Sequence, residues 1–369
     1  MAVRPRYVGV YPPLSPAALL RRRRRHLPFP LEVPGSRLYL AARQGLWWGL
    51  RGLGIAPGEE VLAPAYHHGS EIEVLVRTGA HCRFYDCHGT FEPDEAELES
   101  LLGPRVRALY LIHQLGFAQD SARWRRWCDE RGLLLIEDGA QAWLAGRGGR
   151  VVGTDADLSL FCVYKAFGVP DGGAVFSRAF AGPPPDAERM GARGAAGRLA
   201  DWAAQRSSIA SALFWNRRHP PGQDERPEVH FALTAVDERT TRATRALLPR
   251  VVDAHAPARR RANFARLAER LGEARSPVFA TMPPGSSPLA FPIEVGDKRA
   301  MIERLARRGI MQTRMWTTPH PAMDADAYPG ATGLRARMVG LPVHQELRPA
   351  DVERVAAAAT QAMVRAPRL

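Results

Sequence analysis

Residues 107–141 read RALYLIHQLGFAQDSARWRRWCDERGLLLIEDGAQ, and this stretch decides the fold class. Arg107–His113 is an apolar run of strand length. Ser121–Arg131 has helical character behind a capping residue, Asp120 or Ser121. Leu133–Ile136 is apolar throughout, bounded by Gly132 on one side and Glu137-Asp138 on the other. Apolar runs that alternate with amphipathic helices argue for an α/β protein, with a mostly parallel sheet covered by helices on both faces. In such sheets ligands sit beyond the carboxyl ends of the strands. His113, Asp138 and Lys165 all fall at or just past predicted strand ends.

The alternation extends in both directions. Upstream, Leu46–Leu53 reads as a helix stopped by Gly54, Glu60–Ala63 as a strand, Glu71–Arg77 as a helix, Cys82–Tyr85 as a strand and Asp94–Leu102 as a helix. Downstream, Leu158–Val163 and Gly173–Phe176 are strands. Residues 177–230 change character: Pro183–Pro185 and Pro220–Pro221 bracket an Ala/Arg/Trp-rich helical stretch. Residues 240–272 read as helical. A smaller α+β pattern follows, with a strand at Leu289–Val295, a helix at Lys298–Arg308, an extended piece at Ile310–Arg314 and a helix at Ala350–Met363. The expected organisation is an N-terminal arm over 1–36, a large domain over 37–250 and a small C-terminal domain over 251–369.

The 369 residues are 46% hydrophobic and 24% charged, an ordinary globular composition. No apolar run is long enough to span a bilayer, and no apolar stretch follows the first basic residues, so a cytoplasmic protein without a secretory signal is expected. Four cysteines do not make a disulfide scaffold in a chain this long. The net charge of +13 invites a nucleic-acid reading. The basic residues are spread along the whole chain, however, and the run Arg21–Arg25 is better read as a solvated or subunit-contacting arm. No nucleic-acid or membrane partner is expected. Cys82 and Cys87 with His81 and His88 have no zinc spacing, so no metal site is expected. Trp47, Trp48, Trp124 and Trp127 fall at helical spacing, as core or interface residues do.

Of the 51 basic residues only Lys165 and Lys298 are lysine. Arginine does not deprotonate in proteins, whereas a lysine amine can act as a nucleophile. Lys165 ends the apolar stretch Ser159–Tyr164, and Gly168, Gly172 and Gly173 follow. Burial there lowers a lysine's pKa and favours the neutral amine. Lys298 heads a helix and reads as a surface residue. Asp138 follows a buried strand, where a carboxylate needs a cationic or hydrogen-bonding partner, unless it caps a following helix. A reactive lysine with a strand-end acid points to pyridoxal phosphate, whose ring nitrogen a carboxylate keeps protonated. His67 or His68 offers a planar group to stack on the ring. Arg43 and Gln44, with Gly45, open the Leu46 helix and can hold the phosphate.

Six segments in order resemble one family. Gly54-Ile-Ala-Pro-Gly-Glu-Glu-Val61, Pro64-Ala-Tyr-His-His68, Ile112-His113-Gln-Leu-Gly116, Ile136-Glu-Asp-Gly-Ala-Gln141, Lys165 with Gly172-Gly173, and Leu341-Pro-Val-His-Gln-Glu-Leu347 resemble the DegT/DnrJ/EryC1/StrS group of pyridoxal-phosphate-dependent, fold-type-I aminotransferases. The resemblance covers residues 38–176 and 289–358. It implies an internal aldimine on Lys165, a contact from Asp138 to the pyridine nitrogen, Gln141 near the ring hydroxyl and His68 stacked on the ring. It also implies a homodimer and small-molecule substrates: an amino-acid donor and a keto-sugar acceptor, nucleotide-linked, or a similar natural-product ketone. His113 and His320 are the candidate substrate contacts. Three departures stand out. Ala42-Arg43 replaces the family's Gly-Thr pair. The serine five residues before the lysine is Leu160 here, with Ser159 one place away as the phosphate contact. The family's Asn-x-Arg-Met stretch has no match near Phe231–Asp237. These departures support the alternative of a non-catalytic or regulatory protein on the same fold.

Overall fold

The computed structural model describes residues 5–180, 190–218, 231, 233–311 and 315–364. Pro183–Pro185, Pro220–Pro221 and the end of the predicted Ile310–Arg314 piece lie outside the described residues. Strands β1 (Ser36–Tyr39), β2 (Glu60–Pro64), β3 (His81–Tyr85), β4 (Val106–Ile112), β5 (Leu134–Asp138), β8 (Leu158–Cys162) and β9 (Gly173–Ser177) form one seven-stranded sheet in the order β1-β9-β8-β5-β4-β2-β3. A small hairpin, β6 (Gly146–Arg147) and β7 (Arg150–Val151), interrupts the sequence between β5 and β8. Neighbours from β3 through β8 run parallel; β9 pairs antiparallel with both β8 and β1, so β1 again runs in the direction of the five. The five parallel strands therefore end at a common edge, and β2, β4, β5 and β8 deliver their following loops there.

The strands predicted from apolar runs lie where expected, and their burial explains why the runs are continuous. All five residues of β2, β8 and β9 are buried. β1 carries no such run: three of its four residues are half-buried, which is why it is silent in the sequence. Ser121–Glu130 is capped by Asp120, whose side chain accepts from Arg123 N. Trp124 and Trp127 of that helix are core residues, whereas Trp47 and Trp48 are half-buried, with Trp48 Nε1 donating to Val236 O. The helix Ala42–Gly52 lies on β8 and β9 through glycines: a Cβ at Gly45 would overlap Val175, and one at Gly49 would overlap Leu158.

In the C-terminal part β10 (Ala290–Glu294) pairs antiparallel with β11 (Met338–Pro342). The helices Ala256–Leu271, Lys298–Arg307 and Pro349–Val364 complete this region. The predicted 240–272 helix is two, Arg242–Val251 and Ala256–Leu271. Ile310 forms an isolated parallel bridge with Val8 and not a strand of its own. Lys298 is a correction: it is 7% exposed, and its Nζ donates to Arg335 O at 2.6 Å and Met315 O at 3.4 Å. Two carbonyls hold its charge away from water. Residues 7–14 are likewise packed into the chain, with Val8, Val10 and Leu14 buried, while Arg21–Arg25 are exposed. Among the described residues no helix is long and apolar enough to cross a membrane.

Candidate active site

A cavity of about 270 Å³ opens at the carboxyl edge of the parallel strands. Lys165, Asp138, Gln141, His68 and Arg43 line it, brought together from four separate segments. Arg43 sits in the first turn of the helix that begins at Ala42. Of the two histidines after β2, His67 is fully buried and points into the fold, with Nδ1 against Pro64 O at 3.0 Å and Nε2 accepting from His320 N. His68 takes the cavity wall.

The lysine is fixed by contacts far away in sequence. β8 ends at Cys162 and a single helical turn, Val163–Ala166, follows. Arg260, 2% exposed, donates to Ala166 O at 2.7 Å and Lys165 O at 3.3 Å, and Gln345 Nε2 donates to Ala166 O at 2.9 Å. Burial lowers the Arg260 pKa to about 10, which still leaves a cation at neutral pH at the carbonyl end of the turn. Asp171 locks the next loop by accepting from Thr240 Oγ1 at 2.6 Å, Thr241 Oγ1 at 2.7 Å and Thr244 Oγ1 at 3.0 Å. The expected neutral amine is a correction. Burial pushes the Lys165 pKa down, but Cys162, Tyr164, Tyr11 and Asp138 around it outweigh that push and raise it. The amine of the free cavity is an ammonium.

Asp138 ends β5. Its Oδ1 accepts from Ala140 N at 2.8 Å and its Oδ2 from Tyr110 Oη at 2.8 Å. A turn, and no helix, follows it, so capping takes only one carboxylate oxygen. Burial, then the charge of Glu71, raise its pKa to about 6 against the pull of Lys165 and the two hydrogen bonds. Gln141 Oε1 accepts from Leu115 N at 2.9 Å, which fixes its amide at the cavity.

Four predicted contacts do not reach the cavity. Gln44 is spent on its own helix: Oε1 accepts from Ala41 N at 2.7 Å and Nε2 donates to Ala235 O. Ser159 is fully buried on the other face of β8, because strand alternation turns Leu160 to the cavity. His113 is fully buried, with Nδ1 accepting from Gln119 N at 3.1 Å and Nε2 3.7 Å from Glu137. His320 pairs with Glu73 at 2.9 Å in the core and ties the C-terminal part to the helix Ser70–Arg77.

One further cavity residue, Glu71, had no signal in the sequence, and another, Trp316, had only its place beside His320 in a proline-bearing loop that could face substrate. Glu71 accepts from His68 N at 2.8 Å and from Ser70 Oγ at 3.3 Å; its position on a predicted helix gave no hint that it faces Asp138. Trp316 meets the His68 ring edge-on, centroids 5.0 Å apart. Its backbone is left-handed at φ 54°, after Met315 at 49°. Buried Arg335 holds this turn by donating to Trp316 O at 2.8 Å, His67 O at 2.9 Å and Ala65 O at 2.7 Å.

The donor set fits pyridoxal phosphate. A carboxyl whose charge is made costly by burial and by Glu71 is the complement of a protonated ring nitrogen. A lysine amine, an imidazole wall and an arginine at a helix start supply the other contacts. The phosphate end differs from the expectation: with Gln44 and Ser159 turned away, Arg43 is the charged side chain left for it.

A model of the DegT/DnrJ/EryC1/StrS aminotransferase family matches residues 41–180. A dTDP-3-amino-3,4,6-trideoxy-alpha-D-glucose transaminase of Streptomyces venezuelae is 36% identical over 149 residues, 38% of this chain and 37% of that protein. A GDP-perosamine synthase of Vibrio cholerae is 32% identical over 128 residues, 34% of this chain and 35% of that one. These matches span little more than a third of either relative. The crystal structure of the aminotransferase TlmJ from Streptoalloteichus hindustanus superposes with a TM-score of 0.61 at 24% identity, covering 89% of this chain and 86% of that one. The likeness is one of fold.

Proposed function

Residues 41–180 match a model of the DegT/DnrJ/EryC1/StrS aminotransferase family, and from that premise we propose that the protein is a member of it, a pyridoxal-phosphate-dependent aminotransferase acting on a sugar. The amino donor is an amino acid, glutamate or glutamine, and the acceptor is a keto-sugar, nucleotide-linked, or a similar natural-product ketone. The observation that carries the reading is one cavity lined by the Lys165 amine and the buried Asp138 carboxyl. The names of the two sugar-processing relatives support the substrate class.

When bound, pyridoxal phosphate supplies an electron sink for the carbon that loses its proton. Lys165 Nζ takes that proton and returns one. Asp138 would hold a proton on the ring nitrogen, His68 would cover the ring and Gln141 would stand near its hydroxyl. Arg43 would hold the phosphate, replacing several neutral contacts by one charged contact. Arg43→Ala is expected to weaken cofactor affinity by about 10–100-fold, the 1.5–3 kcal/mol scale of a charged hydrogen bond. A titration of the visible absorption measures this; equal affinity in the variant and the parent would reject the assignment.

The founding test is the absorption spectrum after incubation with pyridoxal phosphate, with and without borohydride. A visible band that borohydride fixes onto one peptide containing Lys165 supports the enzyme. Conversion of that band by amino acids then identifies the donor. One observation favours a second reading, a non-catalytic or regulatory protein: Leu160 faces the cavity and Ser159 does not. That reading gains if no band forms. We also propose a homodimer, by analogy with the fold; light scattering that shows only monomer at micromolar concentration would reject it.

A further inference from the structure

The N-terminal segment lies outside the matched family region, yet it reaches the cavity. Backbone bonds thread residues 7–14 between the two halves of the chain. Tyr7 N donates to Ala204 O at 3.0 Å, Val8 N to Gly309 O at 2.8 Å, Met311 N to Val8 O at 2.8 Å and Leu14 N to Arg198 O at 3.1 Å. Gly168, three residues beyond the lysine, has no room for a Cβ because the Pro13 carbonyl stands there. Between these anchors Tyr11 lines the same cavity as Lys165. Its ring meets that of Tyr164 edge-on, at 6.0 Å between centroids and 85° between planes. Among the described residues its hydroxyl has no hydrogen-bond partner.

We propose that Tyr11 is a positioning residue for Lys165: its phenolic oxygen accepts a hydrogen bond from the Lys165 ammonium and holds Nζ where the proton is moved. The inference rests on the aminotransferase reading and adds to it a segment that the family match does not cover. The Lys165 ammonium has three protons to place. The carboxylate of Asp138 is committed to Tyr110 and Ala140, whereas Tyr11 brings an oxygen that has no partner among the described residues. The other titratable groups facing the pair are Tyr164, Cys162, Asp138, Glu71, His68 and Arg43. None of them lies on the N-terminal segment, so a change at residue 11 leaves their elements intact.

Tyr11→Phe removes one oxygen and keeps the ring packing. In the full-length protein loaded with pyridoxal phosphate, it is expected to lower kcat by about 10–100-fold, the scale of a slightly misplaced reacting group. KM for donor and acceptor should stay within about twofold, since the hydroxyl acts on Lys165 and not on substrate binding. Attachment of the cofactor to Lys165 is a second readout that needs no turnover. Its rate against pH, followed by absorption and by mass after borohydride, is expected to shift in midpoint in the phenylalanine variant. Superimposed pH profiles with unchanged kcat would overturn the inference, as would a loss confined to KM, which would make Tyr11 a substrate contact. A phenylalanine variant with altered near-ultraviolet circular dichroism and lowered Tm would assign Tyr11 to folding and also overturn it. If the parent itself takes up no cofactor, the aminotransferase reading falls, and this inference with it.

Discussion

Lys165→Ala is expected to lower amino transfer by about 10⁴-fold or more, the upper end of what one acid–base group supplies, because on the proposed reading the same side chain would also anchor the cofactor covalently. The visible band should vanish, and borohydride should leave no cofactor on the peptide. Stability should fall modestly, because the neighbours that raise the Lys165 pKa outweigh its desolvation cost and the ammonium is stabilised on balance. The carbonyl bonds that Arg260 and Gln345 make to the 163–166 turn involve backbone oxygens and survive the substitution. The variant is therefore expected to fold, with circular dichroism matching the parent. Steady-state transfer with a sugar acceptor, measured beside the spectrum, checks both statements. A variant that keeps its rate would remove the lysine from the reaction and return weight to the regulatory reading.

Asp138→Asn is the second large effect. An amide of the same shape retains an oxygen for Tyr110 but cannot carry the charge that a protonated ring nitrogen needs. A loss of about 10²–10³-fold in kcat is expected, the scale of one preorganised electrostatic contact. The cofactor-free protein gives an independent signature. The Asp138 carboxyl is raised from 3.8 to about 6. Below about pH 4 it is protonated in both the native and the unfolded chain. Between about 4 and 6 the native state keeps a proton that the unfolded chain has lost. Stability from this group is therefore full at low pH, falls as pH rises through that window and levels off above it, by an amount on the order of 3 kcal/mol. Denaturant unfolding of parent and Asp138→Asn across pH 4–7 measures it: the parent should show the extra decline and the variant should lack it. Parallel curves would mean that Asp138 is not held as described.

The stretch 107–141 made the parallel sheet legible because strands buried on both faces carry near-continuous apolar runs, as β4 does over Ala108–Ile112 and β5 over Leu134–Ile136. β1 stayed hidden because it is a half-buried edge strand. Lys165 and Asp138 were legible for a chemical reason: each is an ionisable residue at the end of such a run, and nearly all other basic residues here are arginine. The misassigned contacts share one cause. Position along the chain places a residue near the strand ends but not the direction of its side chain. One step of strand alternation separates Ser159 from Leu160, and a cap consumes Gln44.

Sequence alone determined the layer architecture, the strand-end edge at which the candidate site lies and the placing of Lys165 and Asp138 there, because periodicity and burial cost are local properties of a chain. Tertiary structure decided the rest. Glu71 faces Asp138, Tyr11 arrives from a segment outside the matched region, Trp316 is held in a left-handed turn by Arg335, and Arg260 clamps the lysine's turn. The charge state of Lys165 belongs here too. Each depends on groups tens to hundreds of residues apart meeting in one low-dielectric space, where the sign of a pKa shift is the balance between desolvation and neighbours, and only the folded chain supplies the neighbours.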